Sequence, residues 1–144
     1  AGPLASSGLP ATYEIPPATS AQARIAVTFA LAQRGKPYQW GGTGPDSYDC
    51  SGLTLQAWAR AGQRLGRTTW DQIKAGSPTS QSALQPGDLV FTPGSDGTLA
   101  SPGHMGMFIG HGLVIHAPRT GDVVKVVTFS SFTANGISGM RHVA

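Results

Sequence analysis

The chain has 144 residues, a net charge of +3, a single cysteine and only 12% charged residues, against about 25% in an ordinary soluble domain. That length suits one domain around one hydrophobic core. One cysteine excludes an internal disulfide and a cysteine-rich zinc site, the apolar stretches are too short to span a bilayer, and the scattered Lys and Arg residues form no run that would track a nucleic-acid backbone.

Residues 1–19, "AGPLASSGLPATYEIPPAT", are rich in Pro, Ala and Ser without periodicity and read as a linker or N-terminal arm ahead of a domain over 20–144. They lack the basic start and apolar core of a signal peptide and read as a cut inside a longer, multidomain chain. A helix follows. Thr19 and Gln22 have capping-box spacing, Ile25, Val27, Phe29 and Leu31 supply apolar bulk, and Gly35 with Pro37 supplies the stop. After the turn-dense "YQWGGTGPDSYD", residues 51–61 have helical composition, which places Asp49 or Cys50 at a helix N-terminus. Thr69 and Gln72 repeat the capping spacing and predict a short helix that ends at Gly76. From residue 85 the texture turns to strands, at 88–92, 104–110, 113–118 and 123–129. Helices first and strands afterwards predict an α+β fold, with the N-terminal helices packed on a central antiparallel sheet.

Cys50 stands between a carboxylate and a hydroxyl in "YDCSGL", unlike a cysteine packed as a small hydrophobe. A thiol becomes a nucleophile as a thiolate, which is favoured at a helix N-terminus or beside a protonated histidine. Of four histidines, strand geometry selects two. His104 and His116 flank a hairpin whose tip is Gly110-His111-Gly112. A three-residue loop, or a bulge, sets His116 opposite Gly106 and diagonal to His104 on the same face; a plain two-residue loop puts the histidines on opposite faces. Gly106 leaves room for the contact. His111 at the tip reads as exposed, and His142 has no assigned role. Trp58 reads as core, while Trp40 and Trp70 are left open between core and sugar-stacking roles.

Four blocks in this order, "PYQWGGTGPDSYDCSGL" (37–53), "RTTWDQ" (67–72), "LQPGDLVF" (84–91) and "GHMGMFIGHGLVIHAP" (103–118), strongly resemble the NlpC/P60 family of bacterial cell-wall cysteine peptidases. The resemblance implies a papain-like fold that hydrolyses amide bonds in peptidoglycan stem peptides, usually the γ-D-glutamyl bond to meso-diaminopimelate or lysine. It makes Cys50 the nucleophile, His104 the general base and His116 the residue orienting that imidazole. It places Tyr38 near the oxyanion, and Asp49 and Ser51 near the free amine of a stem peptide's N-terminal L-alanine. No cofactor and no nucleic acid are implied, and the location is secreted, in the bacterial wall or periplasm.

Met105, Met107, Phe108 and Gly66 depart from the family's usual residues, and the segment 92–103 is longer than usual. Alternatives are an N-acetylmuramoyl-L-alanine amidase, a non-hydrolytic wall-binding module and, on the same three side chains, a zinc site. Residues 1–19, as an arm, are expected to lie over the substrate groove.

Overall fold

A computed structural model describes residues 7–144; residues 1–6 of the expected arm lie outside the described residues. Helix α1 (Ala21–Ala32) starts one residue later than the capping spacing predicts. Ser20 is the N-cap, accepting from the Ala23 N–H at 3.2 Å. Thr19 is drawn into a turn instead, its N–H donating to the Pro16 carbonyl. Helix α2 (Cys50–Arg60) is capped by Asp49, whose Oδ1 accepts from the Gly52 N–H at 2.6 Å. The alanines of α1 (Ala23, Ala26, Ala30) let α2 approach closely, and Leu53, Ala57 and Trp58 fill the seam. Trp58 is core, as expected, and its indole donates to the Gly87 carbonyl.

Helix α3 (Thr69–Gln72) also begins one residue off. Thr68 and Asp71 form the capping box, which frees Thr69 to turn inward and be buried.

Among the described residues six strands form one antiparallel sheet: β1 (Ser77–Pro78), β2 (Leu89–Thr92), β3 (His104–Gly110), β4 (Leu113–His116), β5 (Lys125–Thr128) and β6 (Gly139–His142), in the order β1-β6-β2-β3-β4-β5. Strand β2 is buried along its whole length, and Phe91, Met105, Met107 and Ile115 join the helices in the core. Both methionine side chains serve as packing, and Met105 Sδ also lies 3.8 Å from the Thr54 hydroxyl while its backbone hydrogen-bonds the Cys50 thiol. The last predicted strand stops at Thr128, which caps a short helix α4 (Phe129–Phe132).

The described part of the arm does not lie over the groove. The Ser7 carbonyl accepts from Val126 on the outer edge of β5, Tyr13 donates to the Ile109 carbonyl at 2.7 Å, and the Glu14 carbonyl meets His111 Nε2 at 3.0 Å. Residues 7–19 therefore brace the β3–β4 tip and cover a sheet edge.

Candidate active site

The β3–β4 hairpin pairs Met107 with Ile115 and Phe108 with Val114, then jumps to Gly110 opposite Leu113, leaving Ile109 as a bulged residue. The loop itself is His111-Gly112, both with positive φ (54° and 68°), a turn whose twist suits a two-residue hairpin. The loop has two residues, and the bulge restores the parity that such a loop alone would break. His104 and His116 consequently share a face. His104 Nε2 lies 2.8 Å from His116 Nδ1, and their rings sit 5.1 Å apart.

Phe132 of α4 closes over both rings, at 5.5 Å from His104 and 5.1 Å from His116. Gly106 sits under the Phe132 ring and against the Ile115 carbonyl, with no room for a side chain. A Cβ there would stand 2.6 Å from Val114 Cγ1 and 3.1 Å from the Phe132 ring. Gly106→Ala is expected to cost about 1–3 kcal/mol of stability through this overpacking. Thermal denaturation, with activity assayed well below the transition, measures it; a variant as stable as the parent would show that the face has slack.

Cys50 is the first residue of α2, and its thiol lies 3.7 Å from Thr69 Oγ1. The helix start is pinned by a charge clamp. Arg67 donates through Nη2 to Asp49 Oδ2 at 2.7 Å and through Nη1 to Asp49 Oδ1 at 3.2 Å and Ser51 Oγ at 3.0 Å, while the Gly41 N–H also donates to Asp49 Oδ2. From below, Gln72 donates to the Ser51 and Gly66 carbonyls and accepts from Thr54.

Electrostatics at the site run against a preformed ion pair. Burial pushes the Cys50 thiol above its ordinary range, opposed by the Thr69 hydrogen bond and reinforced by the Asp49 charge. The lowering expected from the helix N-terminus is outweighed by desolvation. Burial and the Arg119 charge push His104 down to about 4, and burial with the His104 charge pushes His116 down to about 3. At neutral pH the resting site is a neutral thiol beside two neutral imidazoles.

Tyr38, Trp40, Cys50, His104 and His116 line one groove of about 790 Å³, walled on one side by Gly94, Ser95 and Asp96 from the long 92–103 segment. Burial first, and then the Cys50 charge, raise the Tyr38 phenol, so it is a hydrogen-bond donor at neutral pH. Trp40 is 85% exposed at the rim, whereas Trp70 spends its indole N–H on Ser101. A second cavity, of about 650 Å³, is lined by Phe29, Lys36, Tyr48 and Arg60 and holds none of the expected site residues. His116 turns Nδ1 to His104, and among the described residues no three His, Cys, Asp or Glu side chains converge as metal ligands. His142 pairs instead with buried Asp88 at 2.7 Å, as a structural contact.

Arg67, Thr69, Gln72 and Phe132 were not identified as site residues from sequence. Each acts on a residue 16 or more positions away, and only the "RTTWDQ" block hinted at the first three.

Residues 35–140 match the sequence model of the NlpC/P60 family. A probable endopeptidase of Corynebacterium glutamicum is 42% identical over 109 residues, covering 75% of this chain and 48% of the relative. A probable endopeptidase of Mycobacterium bovis is 39% identical over 125 residues, covering 86% and 31% respectively. The chain thus spans about half, or less, of the length of these curated relatives. Among solved structures, the NlpC/p60 domain of the peptidoglycan hydrolase SagA superposes with a TM-score of 0.73 at 32% identity, covering 84% of this chain and 98% of that domain. NlpC1 of Trichomonas vaginalis gives 0.78 at 31%, covering 91% and 48%.

Proposed function

The chain belongs to the NlpC/P60 family, and from that premise we propose that it is a cysteine endopeptidase of peptidoglycan stem peptides, cutting the γ-D-glutamyl bond to the diamino acid. The observation that carries the reading is the hydrogen-bonded His104–His116 pair sharing a groove with a thiol at a helix start.

In this mechanism His104 Nδ1 takes the thiol proton as Cys50 Sγ attacks the scissile carbonyl carbon. Because both groups start neutral, the ion pair forms only as the reaction proceeds, within a groove that substrate closes to water. His104 Nε2–H donates to His116 Nδ1, which fixes the ring and supports the imidazolium. The oxyanion is held by the backbone N–H of Cys50, which has no acceptor within its own helix, and by the Tyr38 hydroxyl. His104 returns the proton to the leaving amine, and water then hydrolyses the thioester to a free carboxylate and the thiol. Arg67 occupies both Asp49 oxygens and the Ser51 hydroxyl, which favours a holding role for that pair over direct contact with the stem's free amine. No helix among the described residues is long and apolar enough to cross a membrane, and the substrate places the action at the cell wall.

Digestion of purified muropeptides, read by mass spectrometry, tests the proposal. Fragments ending at D-glutamate are expected. Lactyl-sugar released with an intact peptide would identify an amidase, and no cleavage under any condition would leave a binding module.

A further inference from the structure

The two flanks of the groove carry opposite charge. On one flank the Asp96 carboxylate acts on Tyr38. On the other stand two cations, Arg119 in the loop after β4 and Lys125 at the start of β5. Lys125 is already engaged, its Nζ lying 2.8 Å from Asp122 Oδ2. Arg119 is exposed, and its guanidinium makes no hydrogen bond or ion pair among the described residues. Its loop is nonetheless built. The Arg119 carbonyl accepts from the Asp122 N–H at 3.1 Å, Asp122 Oδ1 accepts from the Val123 N–H at 2.8 Å, and Gly121 takes the positive φ (89°) that closes the turn. The guanidinium charge acts on His104 and His116 and on the Asp122 carboxylate, which Lys125 already holds.

This geometry gives Arg119 a side relative to the reaction. His104 hands its proton to the leaving amine, so the leaving half of the substrate must lie along the histidine flank. Resting on the peptidase reading above, we propose that Arg119 binds a carboxylate on the leaving half of the substrate, so that the groove selects a leaving residue whose side chain ends in a carboxylate over one ending in a carboxamide or an ammonium. A guanidinium offers a planar fork that matches a carboxylate with two parallel hydrogen bonds. An ammonium in the same place meets like charge from Arg119 and Lys125. The bound carboxylate also offsets the charge that Arg119 places on His104, so the preferred substrate makes that imidazole easier to protonate at the moment the thiol must lose its proton.

The test uses three synthetic stem peptides that differ only at the side-chain end of the leaving residue, namely diaminopimelate, its side-chain amide and lysine. For the parent protein, kcat/KM for the carboxylate peptide is expected to exceed that for the amide by about 10- to 100-fold, the range of one charge-assisted contact. In Arg119→Gln the ratio falls to about one. In Arg119→Lys part of it remains, and in Arg64→Gln, which removes an equal charge from an exposed position outside the groove, it is unchanged. A ratio that survives Arg119→Gln, or a parent that cleaves all three peptides equally, overturns the proposal. Calorimetric binding of the same peptides to Cys50→Ala separates this subsite from the hydrolytic reading. Carboxylate-dependent binding that Arg119→Gln abolishes upholds the subsite even if no bond is cut, whereas equal binding, or none, removes it.

Discussion

Exchanging the Cys50 sulfur for oxygen, in Cys50→Ser, is expected to lower muropeptide hydrolysis by at least about 10⁴-fold while leaving the fold intact. The change is nearly isosteric, so packing against Thr69 survives. The chemistry does not. His104, pushed down to about 4, is a weak base. It can take a proton from a thiol whose sulfur is already attacking, but an alcohol is far less acidic. The serine hydroxyl therefore has no partner able to activate it, and the deficit should fall in kcat. Single-turnover assays on muropeptides, with circular dichroism to confirm folding, measure this; activity within tenfold of the parent would remove Cys50 from the chemistry.

The second large effect concerns stability in acid. His116 is buried and His104 half-buried, both neutral, with folded pKa values near 4 for His104 and 3 for His116 against an ordinary value near 6.5. As pH falls below about 6.5 the unfolded chain takes up these protons before the folded chain does. Stability is therefore complete above that pH and is lost progressively down to about 4 and 3. For His104 alone the shift corresponds to ~3 kcal/mol, a large share of the 5–15 kcal/mol typical of a whole domain. The two sites are coupled, so their contributions do not simply add. Asp71 and Asp122, held low mainly by hydrogen bonds, lose their contributions only as pH falls below about 4, and Asp88, raised by burial, takes up its proton earlier in the folded chain and works the other way, so the decline in the upper part of the window belongs to the histidines. Denaturant unfolding from pH 7 to 4.5 should show the decline, and a His104→Asn/His116→Asn double variant should flatten it. An equal slope in parent and double variant would assign the acid sensitivity elsewhere.

What was legible in the sequence was mostly local. The Cys50 helix start announces itself through Asp49 and a helical run, and the histidine pair follows from period-two alternation once the tip is located. The bulge was one of two options left open, because loop length and bulge are interchangeable in their effect on parity. Strands β1 and β6 were missed for a physical reason. The first has only two residues, and "GMRH" in the second lacks β-branched residues, so pairing with its neighbours rather than propensity makes it a strand. Both misplaced caps err by one residue because Thr and Ser stand side by side at 19–20 and two Thr at 68–69; the choice between them is made by the turn before α1 and by Asp71 in α3. Neither the Arg67 clamp nor the direction of the thiol's shift is written in spacing, since both depend on which groups are excluded from water.

The bulge at Ile109 has a consequence for how this segment tolerates change. Strand β3 answers to two neighbours at once: β2 holds His104 opposite Thr92, while β4 counts back from the His111-Gly112 turn. Ile109 is the odd residue that lets both counts agree, and Tyr13 grips its carbonyl from the arm. The site is therefore sensitive to arithmetic more than to spelling at this spot. Another apolar side chain at 109 keeps the tally, whereas losing or gaining a single residue between 105 and 112 forces β3 to abandon one partner, and with it the shared face on which the two imidazoles meet.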